Sequence, residues 1–191
     1  RMVTLAAIVA TSLVPFFFHN VFGKHSKMFI GDAGTLALGV VSSMFVTTCL
    51  CGNPGTSAVP EGLGLVAFTL AVLCVPVFDT LRVMSARILR GKSPFSPDKT
   101  HLHHAIINCG LSHLKTTLTI IALNLVVVGV WYATYATGQS ATIQFVTTLF
   151  AAVTAIIIPY FVIVKIQKSH PELFEKSLAK ANAKIEKRQT A

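Results

Sequence analysis

The sequence predicts an all-α, polytopic integral membrane protein, a helix bundle with about five transmembrane helices. Hydrophobic residues make up 53% of its 191 residues and charged residues only 12%, whereas a soluble domain carries roughly a quarter charged residues. Because backbone groups in lipid must be paired within the segment, and because the alternating pattern of a barrel strand is absent, the apolar stretches are predicted to be helices. Each is near the ~20 residues that cross a bilayer core. The stretches are 2–18, 33–51, 63–81, 116–137 and 141–164.

The connections between these stretches predict the side of the membrane that each one faces. Connections 19–31 and 82–115 and the tail from residue 165 carry lysine or arginine, whereas 52–62 and 138–140 carry neither. Basic and non-basic connections therefore alternate, as the positive-inside rule requires for five spans. We expect loops 19–31 and 82–115 to be cytosolic, together with the tail.

The net charge of +9 does not indicate a nucleic-acid partner. Because the basic residues lie between apolar runs, they indicate topology and contact with lipid headgroups, and no basic polar domain with interleaved aromatic residues is present. The four cysteines form no CxxC pair and are expected to be small buried hydrophobic residues. They are Cys49, Cys51, Cys74 and Cys109.

The chain is predicted to divide into a membrane-embedded domain, 1–164, and a basic cytosolic tail, 165–191. The tail spaces apolar residues at helical intervals between lysines, which favours an amphipathic helix on the anionic inner leaflet, with a solvated tail as the alternative. These residues are Phe174, Leu178, Ala181 and Ile185. An apolar run follows Arg1 directly, so we expect the chain to begin inside a longer protein.

The first candidate motif is MFIGDAGT, residues 28–35. Asp32 stands where the second apolar stretch begins, so it is either a helix N-cap or a metal ligand at the membrane face. Gly31 and Gly34 would let the backbone approach a phosphate closely, and a helix N-terminus favours an anion.

The second candidate motif is PFSPDKTHLHH, residues 94–104. Thr100 is predicted to cap a helix that starts at His101, which would place His101 and His104 on one face and His103 elsewhere. Contact with phosphate, a zinc site that would need Asp98 or His113, and plain surface histidines all remain open.

Three further polar residues lie at the inner ends of apolar stretches. Asp79 is predicted to be a helix N-cap or the i, i+3 partner of Arg82. His19 and Asn20 are either interfacial anchors or ligand contacts, and spacing leaves both alternatives open.

The two motifs, in this order and on one side of the membrane, resemble the polyprenyl-phosphate N-acetylhexosamine-1-phosphate transferases of the MraY/WecA superfamily. The similarity covers roughly residues 15–115 and is greater to the WecA-type branch. It implies transfer of a sugar 1-phosphate, GlcNAc-1-phosphate by default, from a UDP-sugar to undecaprenyl phosphate, with release of UMP. It further implies a requirement for Mg²⁺, with Mn²⁺ as the substitute, and a place on the cytosolic face of the bacterial inner membrane at the start of cell-envelope polysaccharide (lipopolysaccharide and O-antigen) assembly.

The resemblance also assigns expected roles to individual residues. Asp32 matches the aspartate of the metal and diphosphate site, Phe29 a position that stacks on uracil, and Asn20 an asparagine that precedes the aspartate motif. The histidine motif is expected to contact the diphosphate and to act with Asp32 in catalysis. Its histidines are His101, His103 and His104, and the remaining expected substrate-binding residues are Gly31, Asp98 and Lys99.

One departure from the family concerns the carboxylates. The family's N-terminal half supplies an adjacent aspartate pair, and no Asp-Asp occurs in this sequence. Mg²⁺ sites commonly use one or two carboxylates with substrate phosphates, so the chain is expected to carry the C-terminal part of the site and to be inactive alone. A homodimer is a candidate assembly, and a transporter or a non-catalytic membrane scaffold is the alternative function.

Overall fold

The fold was analysed in a computed structural model that describes residues 2–22, 28, 30–51, 62–95, 100–109, 111–169 and 171–172, without the side chains of Met2, Val21 and Asp32. All the regular structure in these ranges is helical. The helices are α1 (Met2–Phe22), α2 (Gly31–Cys51), α3 (Leu65–Val72), α4 (Cys74–Leu89), α5 (Leu102–Asn108), α6 (His113–Ala136) and α7 (Ala141–Ser169). They fall into two compact units, one containing α1 and α2 and the other containing α3 to α7.

The first unit consists of two long apolar helices. None of the described residues of α1 and α2 is buried. Asn20, near the end of α1, pairs with the backbone of Met28: its Nδ2 donates to the Met28 carbonyl and its Oδ1 accepts the Met28 N–H, both at 2.8 Å. This pairing holds the chain just before α2 close to the end of α1.

The second unit has a core in which α3 and α4 pack against α6 and α7. Ala71 and Ala152 are completely buried, and small residues of this kind let helix backbones approach closely. Trp131 of α6 lies between two aromatic rings, with ring-centroid distances of 4.9 Å to Phe68 and 5.8 Å to Tyr135. The core therefore combines close backbone contact at one level with aromatic packing at another.

The third apolar stretch is a broken helix. α3 and α4 meet at Leu73 with a bend of 72°. Pro76 is the third residue of α4, and it has no N–H to bond the Val72 carbonyl, so a continuous helix would lose a hydrogen bond there and its ring would crowd that carbonyl. Asn124 of α6 pairs at the break, since its Nδ2 donates to the Ala71 carbonyl at 3.5 Å.

The membrane prediction is confirmed in its main features. In the part of the chain that the structure describes, four helices are long and apolar enough to cross a bilayer, and the α3–α4 pair brings the number to five if it counts as one span. Hydroxyl groups within these helices donate to backbone carbonyls one turn earlier, for example Thr48 to Met44 at 2.8 Å and Thr119 to Lys115 at 2.9 Å. Such pairing satisfies a polar group where water is absent.

The predicted boundaries need corrections of a few residues. α1 continues to Phe22 and α7 to Ser169, so both run into segments expected to be a loop and a tail. Half of α4 and all of α5 lie in the predicted loop 82–115. The amphipathic pattern in the tail falls outside the described residues, and the division into 1–164 and 165–191 stays a prediction.

Candidate active site

A cluster of charged residues lies where α4 meets the beginning of α5. The carboxylate of Asp79 accepts hydrogen bonds from Arg82 Nη2 at 2.6 Å and from the backbone N–H of Leu102 at 3.1 Å. His101 Nδ1 lies 2.9 Å from its other oxygen, within hydrogen-bond distance. The side chains of Asp79 and Arg82 are only 10% and 7% exposed. Separating a buried pair leaves each charge without compensation. Asp79 and Arg82 are therefore expected to stay paired in the folded protein.

Arg82 connects the same cluster to two other parts of the fold. Its Nη2 also donates to the carbonyl of Thr100 at 2.7 Å, at the entry to the histidine motif. Its guanidinium lies 3.5 Å from the ring centroid of Tyr160 on α7, which is cation–π geometry. One side chain of α4 therefore fixes both the loop before α5 and a contact with α7.

The local structure at the histidine motif differs from the prediction. The helix begins at Leu102 rather than at His101, and His101 occupies the N-cap position without a capping side-chain bond. Thr100 does not cap it; instead the carboxylate of Asp79, 23 residues earlier, accepts the Leu102 N–H. α5 is also tied to α7, because Gln167 Nε2 donates to the Ala105 carbonyl at 3.3 Å.

The three histidine rings lie side by side. Ring-centroid distances are 5.9 Å between His101 and His103 and 4.1 Å between His103 and His104. The expectation that His103 points away from the other two is wrong, because His101 precedes the helix and the i, i+3 rule does not apply to it. Partial burial and the nearby imidazoles of His104 and His101 lower the pKa of His103 below its usual range, although Asp79 opposes this effect.

The aspartate motif lies in the first unit. Asp32 is in the first turn of α2, which begins at Gly31. Gly31 has a φ of +72°, and among the described residues no atom beyond its chain neighbours and the backbone of α2 lies within 4 Å of the position that a Cβ would take. This left-handed conformation suits glycine, and the open space in front of it is compatible with the close approach expected of a ligand. The amide of Asn20 is engaged by the Met28 backbone.

Several predicted site residues cannot be placed. Phe29, Asp98 and Lys99 lie outside the described residues, and so does the side chain of Asp32. Within the described part of the chain, no group of three or more His, Cys, Asp or Glu side chains could hold a metal ion. The zinc alternative therefore gains no support from the described residues.

Sequence reasoning missed part of this site. It anticipated the pair of Asp79 and Arg82 from their spacing, and the structure confirms it, but not the reach of Asp79 to His101. Tyr160 and Gln167 gave no signal, since an aromatic residue in an apolar run and a polar residue at the end of one are both ordinary. Only the packing of α7 against α4 and α5 reveals their role.

The fold and the site together define a polytopic helical membrane protein with a histidine cluster anchored on a buried aspartate–arginine pair. Comparison with curated proteins agrees with this class. The chain is 33% identical to the decaprenyl-phosphate N-acetylglucosaminephosphotransferase of Mycobacterium leprae over 145 residues, 74% of this chain and 34% of that protein. It is 30% identical to the undecaprenyl-phosphate alpha-N-acetylglucosaminyl 1-phosphate transferase of Pasteurella multocida, over 61% of this chain and 31% of that protein.

A third relative, the probable undecaprenyl-phosphate N-acetylglucosaminyl 1-phosphate transferase of Bacillus subtilis, is 32% identical over 62% of this chain and 31% of its own length. The chain is therefore homologous to a part of the polyprenyl-phosphate N-acetylglucosamine-1-phosphate transferases, which confirms the resemblance found in the two motifs. It spans about a third of the length of the curated relatives it matches. No family model matches the chain. No solved structure matches it either.

Proposed function

We propose that this protein carries part of the active site of a polyprenyl-phosphate N-acetylhexosamine-1-phosphate transferase. The reaction moves a sugar 1-phosphate, GlcNAc-1-phosphate by default, from a UDP-sugar to undecaprenyl phosphate and releases UMP. The observation that carries the proposal is the row of three histidines, His101, His103 and His104, of which His101 lies within hydrogen-bond distance of a buried ion pair. The names of the relatives support the class of reaction.

The histidine row suits a substrate that carries phosphates. Imidazolium groups donate hydrogen bonds to phosphate oxygens, and phosphoryl transfer depends mainly on positioning and on neutralising charge. An acceptor phosphate on a lipid is confined to headgroup depth, so a site at the end of the helices is where donor and acceptor can meet. The alternation of basic connections supports a cytosolic site, in a bacterial inner membrane.

The metal expected for this reaction is Mg²⁺, and carboxylates are its expected protein ligands. Asp79 cannot serve, because Arg82, His101 and the Leu102 N–H already occupy its carboxylate. Asp32 is the candidate that the family resemblance names, and a single carboxylate holds Mg²⁺ only with help from substrate phosphates or a second acid. When bound, the ion would neutralise charge on the diphosphate. We therefore propose that residues 1–191 alone are inactive and need carboxylates from a preceding segment.

The broken helix is the one feature that favours the alternative function, a transporter, since broken helices often line substrate paths in transporters. Asn124 bonds groups on both sides of this break, however: it donates to the Ala71 carbonyl and accepts from Cys74 Sγ at 3.3 Å. The charges nearby, Asp79 and Arg82, neutralise each other. This pairing is better suited to a fixed bend than to a path for ions.

The test is transfer of radiolabelled GlcNAc-1-phosphate from UDP-GlcNAc to undecaprenyl phosphate in detergent, with EDTA as a control. We expect no turnover by residues 1–191, and EDTA-sensitive formation of a lipid-linked sugar diphosphate and UMP when the N-terminal half of a relative is co-expressed. Turnover by the chain alone would refute the need for further carboxylates. No turnover with both halves would favour a scaffold, and proton or metal flux in liposomes would favour a transporter.

A further inference from the structure

We propose that Asp79 and Arg82 are positioning residues that hold His101 in one tautomer, with the proton on Nδ1 and with Nε2 as the atom available to a ligand. The proposal rests on the proposed function only for the identity of that ligand, a phosphate-bearing substrate. Neither residue is expected to touch the substrate, because both side chains are almost completely buried.

The tautomer follows from the donors around the carboxylate. An ionised carboxylate only accepts hydrogen bonds. Asp79 receives one from Arg82 and one from the Leu102 N–H, and both of these donors stabilise its charged form. His101 Nδ1 lies 2.9 Å from the second carboxylate oxygen. A hydrogen bond at that distance needs a proton on Nδ1, since a lone pair there would repel the oxygen.

The orientation of the ring is fixed from several directions. The Leu102 N–H holds the backbone beside His101 to the same carboxylate. Arg82 holds the Thr100 carbonyl on the other side and is itself stacked on Tyr160. The residues on both sides of His101 are therefore tied to α4, and α4 is tied to α7. The imidazole cannot turn over without breaking its bond to Asp79.

The other ring nitrogen of His101, Nε2, is available to a ligand. The His101 side chain is 31% exposed, and no described residue forms a hydrogen bond with its Nε2. In the neutral ring, Nε2 offers a lone pair; when the ring takes a second proton, Nε2 offers an N–H to a phosphate oxygen. The same arrangement, a carboxylate on one nitrogen and a reactive partner on the other, orients catalytic and metal-binding histidines elsewhere.

The experiment measures the tautomer directly by NMR of the full chain in detergent micelles, with ¹⁵N-labelled histidine at a pH where the rings are neutral. We expect the His101 spectrum to show Nδ1–H and an unprotonated Nε2, whereas His113, exposed at the start of α6, shows the Nε2–H form that water favours. In Asp79→Asn, the His101 spectrum is expected to become a mixture of the two tautomers. Glu172→Gln, which removes an exposed carboxylate, is the matched control and is expected to leave it unchanged.

An Nε2-protonated His101 in the unaltered protein would overturn the proposal, whether or not any variant folds. An unchanged tautomer in Asp79→Asn would overturn it as well. Binding of inorganic pyrophosphate to the chain gives a second measurement, with a loss of about tenfold expected in Asp79→Asn and none in Glu172→Gln.

Activity in the complete gene product separates this proposal from the proposed function. If the Nδ1–H tautomer is found but there is no transfer, the positioning role stands and the reaction is wrong. If transfer is normal and His101 carries its proton on Nε2, the reaction stands and the positioning role is wrong. We expect Asp79→Asn to lower kcat by about tenfold per folded molecule, with the KM for the UDP-sugar nearly unchanged.

Discussion

The side-chain amide of Gln144 is locked onto the backbone of Gly64. Its Oε1 accepts the Gly64 N–H at 3.0 Å, and its Nε2 donates to the carbonyls of Gly62 and Gln139 at 2.7 and 2.8 Å. Gln144 is completely buried, so every one of these bonds replaces one to water. A single residue near the start of α7 thus ties the beginning of α3 to the turn that precedes α7.

We expect Gly64→Ala to destabilise the protein. A Cβ at Gly64 would lie 2.8 Å from Gln144 Oε1, so the amide must move and its hydrogen bonds weaken. A cost of about 1–3 kcal/mol in the free energy of unfolding is typical of such overpacking. Thermal unfolding in detergent measures it. Gly129→Ala in α6 is the matched control, because no described atom outside the backbone of α6 lies within 4 Å of a Cβ there; an equal loss in both variants would contradict the role of Gln144.

We expect Asp32→Asn to abolish most transfer in the complete enzyme. The substitution keeps the shape of the side chain and its place in the first turn of α2, but removes the charge that Mg²⁺ requires. A fall of at least ~100-fold, equal to ~2.7 kcal/mol of transition-state stabilisation, is expected. Protein yield should stay near normal, since a lost carboxylate near a helix N-terminus costs only about 0.3–1 kcal/mol. Full activity in Asp32→Asn, with a reduced yield of Asp32→Ala, would mean that the role of Asp32 is structural.

The topology is open to a thiol-labelling test. In intact cells, an impermeant thiol reagent should label single-cysteine variants at Cys49 or Cys51, and should label Cys109 only after permeabilisation. Burial raises the pKa of the Cys109 thiol, so permeabilised cells at alkaline pH provide its positive control. Labelling of Cys109 alone in intact cells would show that the topology is the reverse of the predicted one, and it would contradict a cytosolic site.

The lowered pKa of His103 predicts how anion binding depends on pH. Because this pKa lies below the usual value, the ring is neutral near pH 7, and a bound diphosphate must raise the pKa by stabilising the charged form. Affinity for inorganic pyrophosphate is therefore expected to rise as the pH falls from 7.5 to 5.5. Calorimetry at several pH values measures this rise. His103→Gln should flatten the dependence, and an unaltered slope in that variant would assign the proton to another group.

Much of the fold could be read from the sequence, because apolar length and flanking lysines are local properties. All five apolar stretches are helical, and their ends shift by a few residues, apart from the break at Leu73 and the continuation of α4 to Leu89, eight residues beyond the predicted end. At Leu73 the break combines Pro76 with a pairing partner, Asn124, some 50 residues away, and such a partner cannot be seen in a local pattern.

The site was predictable in its residue types and not in its arrangement. The histidines stood out by their density, but their geometry depends on Asp79, 22 residues before His101. The spacing of residues 100–104 predicts a helix that starts at His101 and is capped locally by Thr100. In the structure the carboxylate of Asp79 accepts the Leu102 N–H instead, and the helix starts one residue later. A hydrogen bond between residues far apart in the sequence thus takes the place of the N-cap that the local pattern predicts.

Because of the bend between α3 and α4, the lengths of the two helices move Asp79 in different directions. From Leu73 to Asp79 the chain rises about 9 Å along α4, but a 72° bend leaves only about 3 Å of this rise along the direction of α3. Lengthening α3 by one turn would therefore move the aspartate and its histidine partner by about 5 Å along the α3 axis, whereas lengthening α4 would carry them mostly across that axis. The position of the cluster along this axis is accordingly a property of α3, a helix that contributes no described side chain to the cluster.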